Sequence, residues 1–408
     1  MAVIILFLIY VQLMLPVTET VFWICLFIVF YTYAGYPLLL LVLVFIKKKL
    51  VPQRKYPDNI YMPVTLVVAA YNEEEIIEEK IKNSFELDYP PEMIRFIFIS
   101  DGSDDNTASL IKKYPSILHL HEPERKGKLA AMNRAMQFVK TGYVVFSDAN
   151  TLLNKESIIK IMWHYADKNV GGVEGEKKII SSDDDTVARG EGLYWKYESF
   201  IKNLDSRLYT IVGAAGELFS IRSNLYSVLP EHIIIEDFVQ SLTLCSKGYV
   251  VRYEPQAYSR ERASGSVKDE MERKIRISAG GFQAMVFLKK LFNVFNYPVL
   301  SFQYISHRVL RWTLCPVALI LVFITPAVLF CNGYSVFYGY FTILQVVFYL
   351  MALLGWLMAR RNRHPGLFYL PFFFVFMNFC VFAGFARYIA GKQEATWKKA
   401  VRRTKNID

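Results

Sequence analysis

Val64-Thr65-Leu66-Val67-Val68-Ala69-Ala70 runs straight into Tyr71-Asn72-Glu73-Glu74-Glu75. An uncharged β-favouring run of this kind reads as a strand buried on both faces. The acids behind it load the first turn of a helix, where the macrodipole favours negative charge. Strand, turn and helix then repeat. Strands are expected at 95–100, 117–121 and 143–147, with helices from about Asp105, Gly127 and Lys155, and Val170 to Val173 reads as one more strand. This rhythm predicts an α/β domain with a mostly parallel sheet and right-handed crossovers. No Gly-x-Gly-x-x-Gly follows the first strand, so the usual dinucleotide fingerprint is absent.

Acids punctuate the same stretch. Asn72-Glu73, Asp101-Gly102-Ser103, Asp148-Ala149-Asn150 and Glu236-Asp237 come in order, and the second and third follow directly on apolar runs. Ligands of open α/β sheets bind outside the carboxyl ends of the strands. Acids at that rim suit a metal ion and a nucleoside diphosphate better than they suit a core.

Outward from this domain the chain turns apolar. Of 408 residues 53% are hydrophobic, above the usual share for a soluble protein. No charge occurs from Thr20 to Ile46, enough to cross a hydrocarbon core of roughly 30 Å, nor from Trp312 to Ala359, where Asn332-Gly333-Tyr334 marks a turn between two spans. The net charge of +10 gathers at the edges of these blocks, in Lys47-Lys48-Lys49, Arg360-Arg361, Arg363 and the tail Lys398 to Lys405. That is the positive-inside signature of a membrane protein with a cytosolic domain rather than a nucleic-acid footprint.

The expected division is a membrane segment at 1–50, a cytosolic domain at 51–280 and an amphipathic interfacial segment at 281–311. A membrane region at 312–390 and a basic cytosolic tail at 391–408 complete it. Residues 1–16 lack a basic leader, so a cleaved signal peptide is not expected; they form a short extra span or lie in the interface. A third full span after Arg361 would leave the tail outside, so 367–390, with Pro371, Gly384 and Arg387, is expected to be partly re-entrant or interfacial. Ser181 to Thr186 reads as a surface loop. The cysteines at 25, 245, 315, 331 and 380 show no zinc or disulfide spacing and read as small apolar fillers.

Six motifs in order carry a resemblance. Ala70-Tyr71-Asn72-Glu73, Asp101-Gly102-Ser103-Asp104-Asp105, Arg125-Lys126-Gly127-Lys128 with Asn133, Asp148-Ala149-Asn150, Gly213-Ala214-Ala215-Gly216 and Ile235-Glu236-Asp237-Phe238 are spaced as in family 2 glycosyltransferases. Over roughly residues 20–320 the chain resembles their membrane-integrated branch, the hyaluronan, chitin, cellulose and poly-N-acetylglucosamine synthases. The resemblance implies the GT-A nucleotide-diphospho-sugar transferase fold.

It also implies roles. Tyr71, Glu73 and Asp101 would hold the uracil and ribose, and Lys128 would face the diphosphate as a point charge. Asp148 and Asn150 occupy the Asp-x-Asp position that binds Mg2+ or Mn2+, with an amide where the family has a second acid. Asp237 would be the general base, within about 2.6–3.2 Å of the acceptor proton, with Glu236 orienting its surroundings. Gly213 to Gly216 would keep a loop thin beside the sugar. Tyr194 to Glu198 offers aromatics for an acceptor sugar, with core packing an equal alternative.

The Gln-x-x-Arg-Trp motif departs most from the family. Arg273-Lys274-Ile275-Arg276-Ile277 keeps arginines for the diphosphate but has Ile277 in the tryptophan's place, which removes a stacking floor tied to processive growth. His307 to Trp312 ends in Arg-Trp, yet reads as a basic interfacial segment with an aromatic anchor.

The expected function is inverting transfer from a nucleotide-diphospho sugar, UDP-linked, to a growing polysaccharide or glycan. One alternative is a non-processive transferase acting on a lipid-linked acceptor. Another, of a different class, is a nucleotide-binding transporter or receptor. The scarcity of ionisable residues in the apolar blocks counts against that last reading.

Overall fold

A computed structural model of the chain describes residues 2–51, 60–180, 186–262, 266–361 and 365–392. The basic tail beyond Lys392, Arg363 and the stretch 181–185 lie outside the described residues.

The chain enters through α1 (Ala2–Phe30), a π-helical turn (Tyr31–Gly35) and α2 (Tyr36–Leu50). The expected alternation follows as β1 (Val64–Ala70), α3 (Ile77–Phe85), β2 (Ile94–Asp101), α4 (Thr107–Lys112), β3 (Ile117–Glu122), α5 (Lys128–Met136) and β4 (Tyr143–Asp148). Then come β5 (Thr151–Leu153), α6 (Ser157–Trp163), β6 (Val170–Ile180), α7 (Thr186–Leu208), β7 (Leu218–Arg222), α8 (Glu236–Ser246), β8 (Val250–Arg262) and α9 (Val267–Phe287). Short helices α10 (Pro298–Tyr304) and α11 (Leu310–Trp312) lead to α12 (Leu314–Cys331), α13 (Val336–Arg360) and α14 (Tyr369–Ile389).

One sheet has the order β3-β2-β1-β4-β7-β6-β8-β5. Its first four strands pair in parallel, as do β6 and β8. β7 runs antiparallel to both β4 and β6, and β5 antiparallel to β8, so the sheet is mixed around a parallel half. β5, β7 and β8 were not expected from the sequence. β7 is short, and β8 carries Arg252, Glu254, Pro255, Arg260 and Glu261 while its register against β6 shifts between Gly175 and Glu176. Neither a continuous apolar run nor a clean alternation survives such an irregularity.

Alternate side chains of each strand go to opposite layers. Val64, Leu66, Val68 and Phe98 join Ile77, Ile81, Ile158 and Met162 on one face. Val67, Ile97, Ile99, Val144 and Phe146 join Leu129, Met132, Val239 and Leu242 on the other. Covering both faces leaves the strand ends as the accessible rim. Between β1 and β4 the strand order reverses direction, which is where a crevice opens.

Four helices among the described residues are long and apolar enough to cross a membrane: Met14–Leu50, Leu314–Cys331, Val336–Arg360 and Gly366–Ile389. The last is a continuous helix where the sequence reading expected a partly re-entrant or interfacial segment. Pro371 sits in the first turn of α14, where its missing N–H costs nothing. Gly384 is a packing point, since a Cβ there would lie 2.5 Å from Ser278 on α9. Arg387 forms a surface ion pair with Glu272.

The α/β domain and the long apolar helices are joined by polar contacts. Tyr36 donates to Asp205 of α7, and Lys47 donates to the carbonyls of Arg207 and Leu208. The expected boundary at 280 falls inside α9. Phe287, Val294 and Phe295 are exposed as an interfacial segment requires, but Gln303, Ser306 and His307 are buried.

Candidate active site

The pairing registers bring the acids to one rim. Asp148 lies beside Ala69 at the end of β1, Ala70 beside Ser100, and Asp101 beside Glu122. Because β7 runs the other way, its start Leu218 meets Ser147, so the Gly213–Glu217 loop arrives at the same edge.

On the β1–β3 side the motif loops are tied together. Asn72 turns the chain with φ 54°, a conformation asparagine tolerates. Its N–H donates to Ser103 Oγ, and the Glu73 N–H to Thr107 Oγ1 at 2.8 Å. Asp101 is buried, and Oδ2 accepts the N–H groups of Lys126 and Gly127 at 3.1 and 2.7 Å. Its Oδ1 accepts from Arg134 at 3.3 Å, and Arg134 also pairs with Glu122. Asp101 therefore holds the loop that leads into Lys128. Gly102, at φ 66°, has Arg125 N only 2.5 Å from where a Cβ would be, so no other residue fits. The Arg125 guanidinium lies 3.7 Å above the Tyr71 ring.

On the β4–β7 side carboxylates converge. Lys128, at the first position of α5, puts Nζ 2.6 Å from Asp148 Oδ1 and 3.4 Å from Glu236 Oε1. A Cβ on Gly216 would lie 2.6 Å from that Nζ and 3.0 Å from Asp237 Oδ2, so the glycine opens the space in which they meet. Glu236 and Asp237 begin α8, where the helix dipole favours them. Burial and the neighbouring Glu236 raise the Asp237 carboxyl to about 7, against the opposing pull of Lys128. Burial likewise raises Asp148, again opposed by Lys128. Beside them a small pocket opens, lined by Lys126, Gly127, Lys128, Leu129, Ile234 and Glu236 among others.

Arg276 donates to the Ile234 carbonyl at 3.3 Å, just before Glu236. Burial lowers its pKa, while Glu236 and Asp237 work the other way, so it lies within the field of the acid cluster. Arg273 is engaged with Glu270 and reaches toward Glu261. Asn150 lies in the turn between β4 and β5.

No group of three or more His, Cys, Asp or Glu poised for a metal occurs among the described residues. The pocket nonetheless fits a cation by its donor set. Asp148 and Glu236 already close around an ammonium, and carboxylate oxygens are hard ligands suited to Mg2+ or Mn2+.

His307 to Trp312, expected at the membrane surface, is instead internal scaffold. His307 bonds Asp205 at 2.7 Å, Arg308 pairs with Glu198 and donates to the Val212 carbonyl, and Trp312 packs 5.5 Å from Phe238 beside Asp237. Burial alone would raise Glu198, but Arg308 and Arg311 hold it well below the carboxylate range. The Tyr194–Glu198 aromatics serve packing too. The Lys177 and Lys202 ammonium groups lie 4.9 and 5.8 Å from the Trp195 ring, and Tyr197 donates to the Tyr33 carbonyl.

Several residues near the site escaped the sequence reading. Glu174 is buried, pairs with Lys202 and accepts the Ala215 N–H at 2.7 Å. Glu217 pairs with Lys177, which also binds Glu261. Lys80 is fully buried, and burial pulls its pKa down to about 7 against the field of Asp148. One signal could have found it: with Ile77, Ile81 and Ser84 it occupies the core-facing positions of α3.

Residues 65–229 match the sequence model of glycosyl transferase family 2. The chain is 27% identical over 234 residues to the poly-beta-1,6-N-acetyl-D-glucosamine synthase of Staphylococcus aureus (strain COL), covering 55% of each chain. It is 24% identical over 234 residues to the synthase of the same name from Staphylococcus epidermidis, again covering 55% of each. It thus spans about half the length of the curated relatives it matches. A mannosyltransferase from Pyrobaculum calidifontis, solved with GDP-Man and Mn2+, superposes with a TM-score of 0.66 at 19% identity, covering 91% of this chain and 99% of that one. The fold is GT-A-like, as the motif order implied.

Proposed function

We propose, from the family 2 glycosyltransferase domain that residues 65–229 form, that the protein is an inverting membrane glycosyltransferase. It moves a sugar from a nucleotide-diphospho donor, UDP-linked, onto a growing polysaccharide. The observation that carries this reading is the meeting of Asp148, Glu236 and Asp237 around the Lys128 ammonium at the strand rim.

Asp237 takes the proton of an acceptor hydroxyl as that oxygen attacks the anomeric carbon. The bond to the diphosphate breaks on the opposite face, the nucleoside diphosphate leaves with the electron pair, and the centre inverts. A carboxyl near 7 suits a base working at neutral pH. Lys128 and Arg276 face the diphosphate, with Arg273 further back; Tyr71, Glu73 and Asp101 line the nucleoside end. Asp148 and Asn150 would hold Mg2+ or Mn2+, which when bound would neutralise charge on the leaving group.

The domain faces the cytosol, with Lys47–Lys49 and Arg360–Arg361 on the inner side of a multi-pass membrane part. A second reading, one addition to a lipid-linked acceptor, draws on Ile277 in the place of a stacking tryptophan.

The test is Asp237→Asn in membranes given a panel of UDP- and GDP-sugars. Nucleotide binding persists and transfer drops by about 10²- to 10⁴-fold; unchanged turnover removes the assignment. Sizing the parent's product separates polymer from single addition.

A further inference from the structure

Lys80 presents a physical problem that the proposed chemistry does not use. Its ammonium is fully buried, yet no carboxylate of the described residues lies within ion-pair distance of it. Its partners are neutral oxygens: Ser147 Oγ at 2.7 Å and the Thr151 carbonyl at 2.7 Å. A buried charge without a counter-ion is a heavy penalty for a fold to carry.

The two partners sit on either side of Asp148-Ala149-Asn150. Ser147 is the residue before Asp148, and Thr151 the residue after Asn150. Lys80 therefore straps the turn from beneath, across both of its ends. The strap is reinforced. Thr151 Oγ1 donates to the Asp148 carbonyl at 2.9 Å, closing the turn on itself. Ser147 Oγ also lies 3.2 Å from the Glu217 carbonyl, which ties the turn to the loop behind Gly216. One helical turn along α3, Asn83 bonds Leu153 with both ends of its amide, at 2.9 and 2.8 Å.

We propose that Lys80, with Asn83, is the positioning residue that presets the Asp148–Thr151 turn for a metal-bound nucleoside diphosphate. This rests on the assignment of that turn to the diphosphate. The lysine touches no substrate; it fixes the direction of Asp148 and Asn150 before either meets a ligand. With an amide at 150 instead of a second acid, geometry must supply what ligand charge does not.

The experiment uses the full-length protein in detergent with Lys80→Met, an apolar side chain of similar length. Three quantities are read: Mn2+ affinity with UDP or GDP present, donor KM and kcat, and thermal unfolding. Lys80→Met removes a buried charge that has no counter-ion, and it leaves Ser147 Oγ and the Thr151 carbonyl without that donor. The two changes oppose each other, so the expected result is an unfolding temperature close to the parent's, with Mn2+–nucleotide affinity down by about tenfold or more and donor KM raised. Asn83→Ala, which keeps the charge, shifts the same affinity in the same direction by less. Affinity within threefold of the parent in Lys80→Met overturns the proposal, as does a loss that only follows a fall in stability. A parent that binds neither nucleotide nor Mn2+ removes the turn's assignment and the proposal with it. A normal parent beside an unchanged variant removes the proposal alone.

Discussion

The two sides of the rim use their acids in opposite ways. Around β1–β3, Asp101 accepts two backbone N–H groups and Arg134, and Glu122 pairs with Arg134 as well. Around β4–β7, Asp148 and Glu236 pair with the Lys128 ammonium, Asp237 lies beside them, and Arg276 sits within the field of all three. The first side consists of acids satisfied by their own chain, so its charge fixes shape. The second holds three carboxylates against Lys128 and Arg276, and burial with repulsion from Glu236 raises the Asp237 carboxyl to about 7. An acid placed at a strand end is thus not evidence of chemistry by itself; what matters is whether the protein has already satisfied it.

The largest effect that could break this contrast comes from Lys128→Met. Without the ammonium the three carboxylates face one another, and ionising Asp237 becomes harder. A base works only when deprotonated, so the role proposed for Asp237 predicts a parent kcat/KM that rises with pH through about 7. In the variant that rise should move up by roughly one unit or more, on top of a loss of donor affinity. A pH–rate profile reads both. An unmoved limb would mean that Lys128 and Asp237 do not share a field.

Asp101→Asn probes the other side and should act differently. The amide keeps an acceptor for one N–H but loses the charge that Lys126, Gly127 and Arg134 address. Hydrogen bonds to charged groups contribute about 1.5–3 kcal/mol, so donor KM should rise by about tenfold and the unfolding temperature fall. The pH limb should stay where the parent has it. A shifted limb would merge the two sides into one electrostatic unit and undo the distinction.

Much of the parallel half was legible because its signals are local. Val64 to Ala70 and Tyr143 to Ser147 are apolar runs that end on functional residues, and both strands lie where those runs place them. The acid positions of the site followed from motif order, and Asp148, Glu236 and Asp237 do converge. The mixed half hid because β8 is charged and bulged, so the residues that join it to β6 look solvated in sequence. Lys80 hid for another reason: its partners lie 67 and 71 residues away, and only the fold makes it a buried strap. His307 to Trp312 misled in the opposite direction. A basic stretch beside a membrane block reads as a surface anchor until Asp205 and Glu198, a hundred residues upstream, are found beside it.

The smallest effect belongs to a pair that resembles the site's ion pairs only on paper. Arg387 of α14 meets Glu272 of α9 at 3.0 Å, at side-chain exposures of 29% and 54%. Water screens this contact, and holding two long side chains together costs entropy, so it contributes about 0–1 kcal/mol. What joins α14 to α9 is apolar instead: Ile275 packs with Phe372, Phe376 and Cys380, and Gly384 lets the helices touch. Arg387→Ala should therefore leave thermal unfolding and transfer within error of the parent, while Gly384→Leu should lower both. If Arg387→Ala instead reduced transfer, charge at the membrane helix would be reaching Arg276 through α9, and the division into shape-holding and chemistry-holding acids would have to extend beyond the rim.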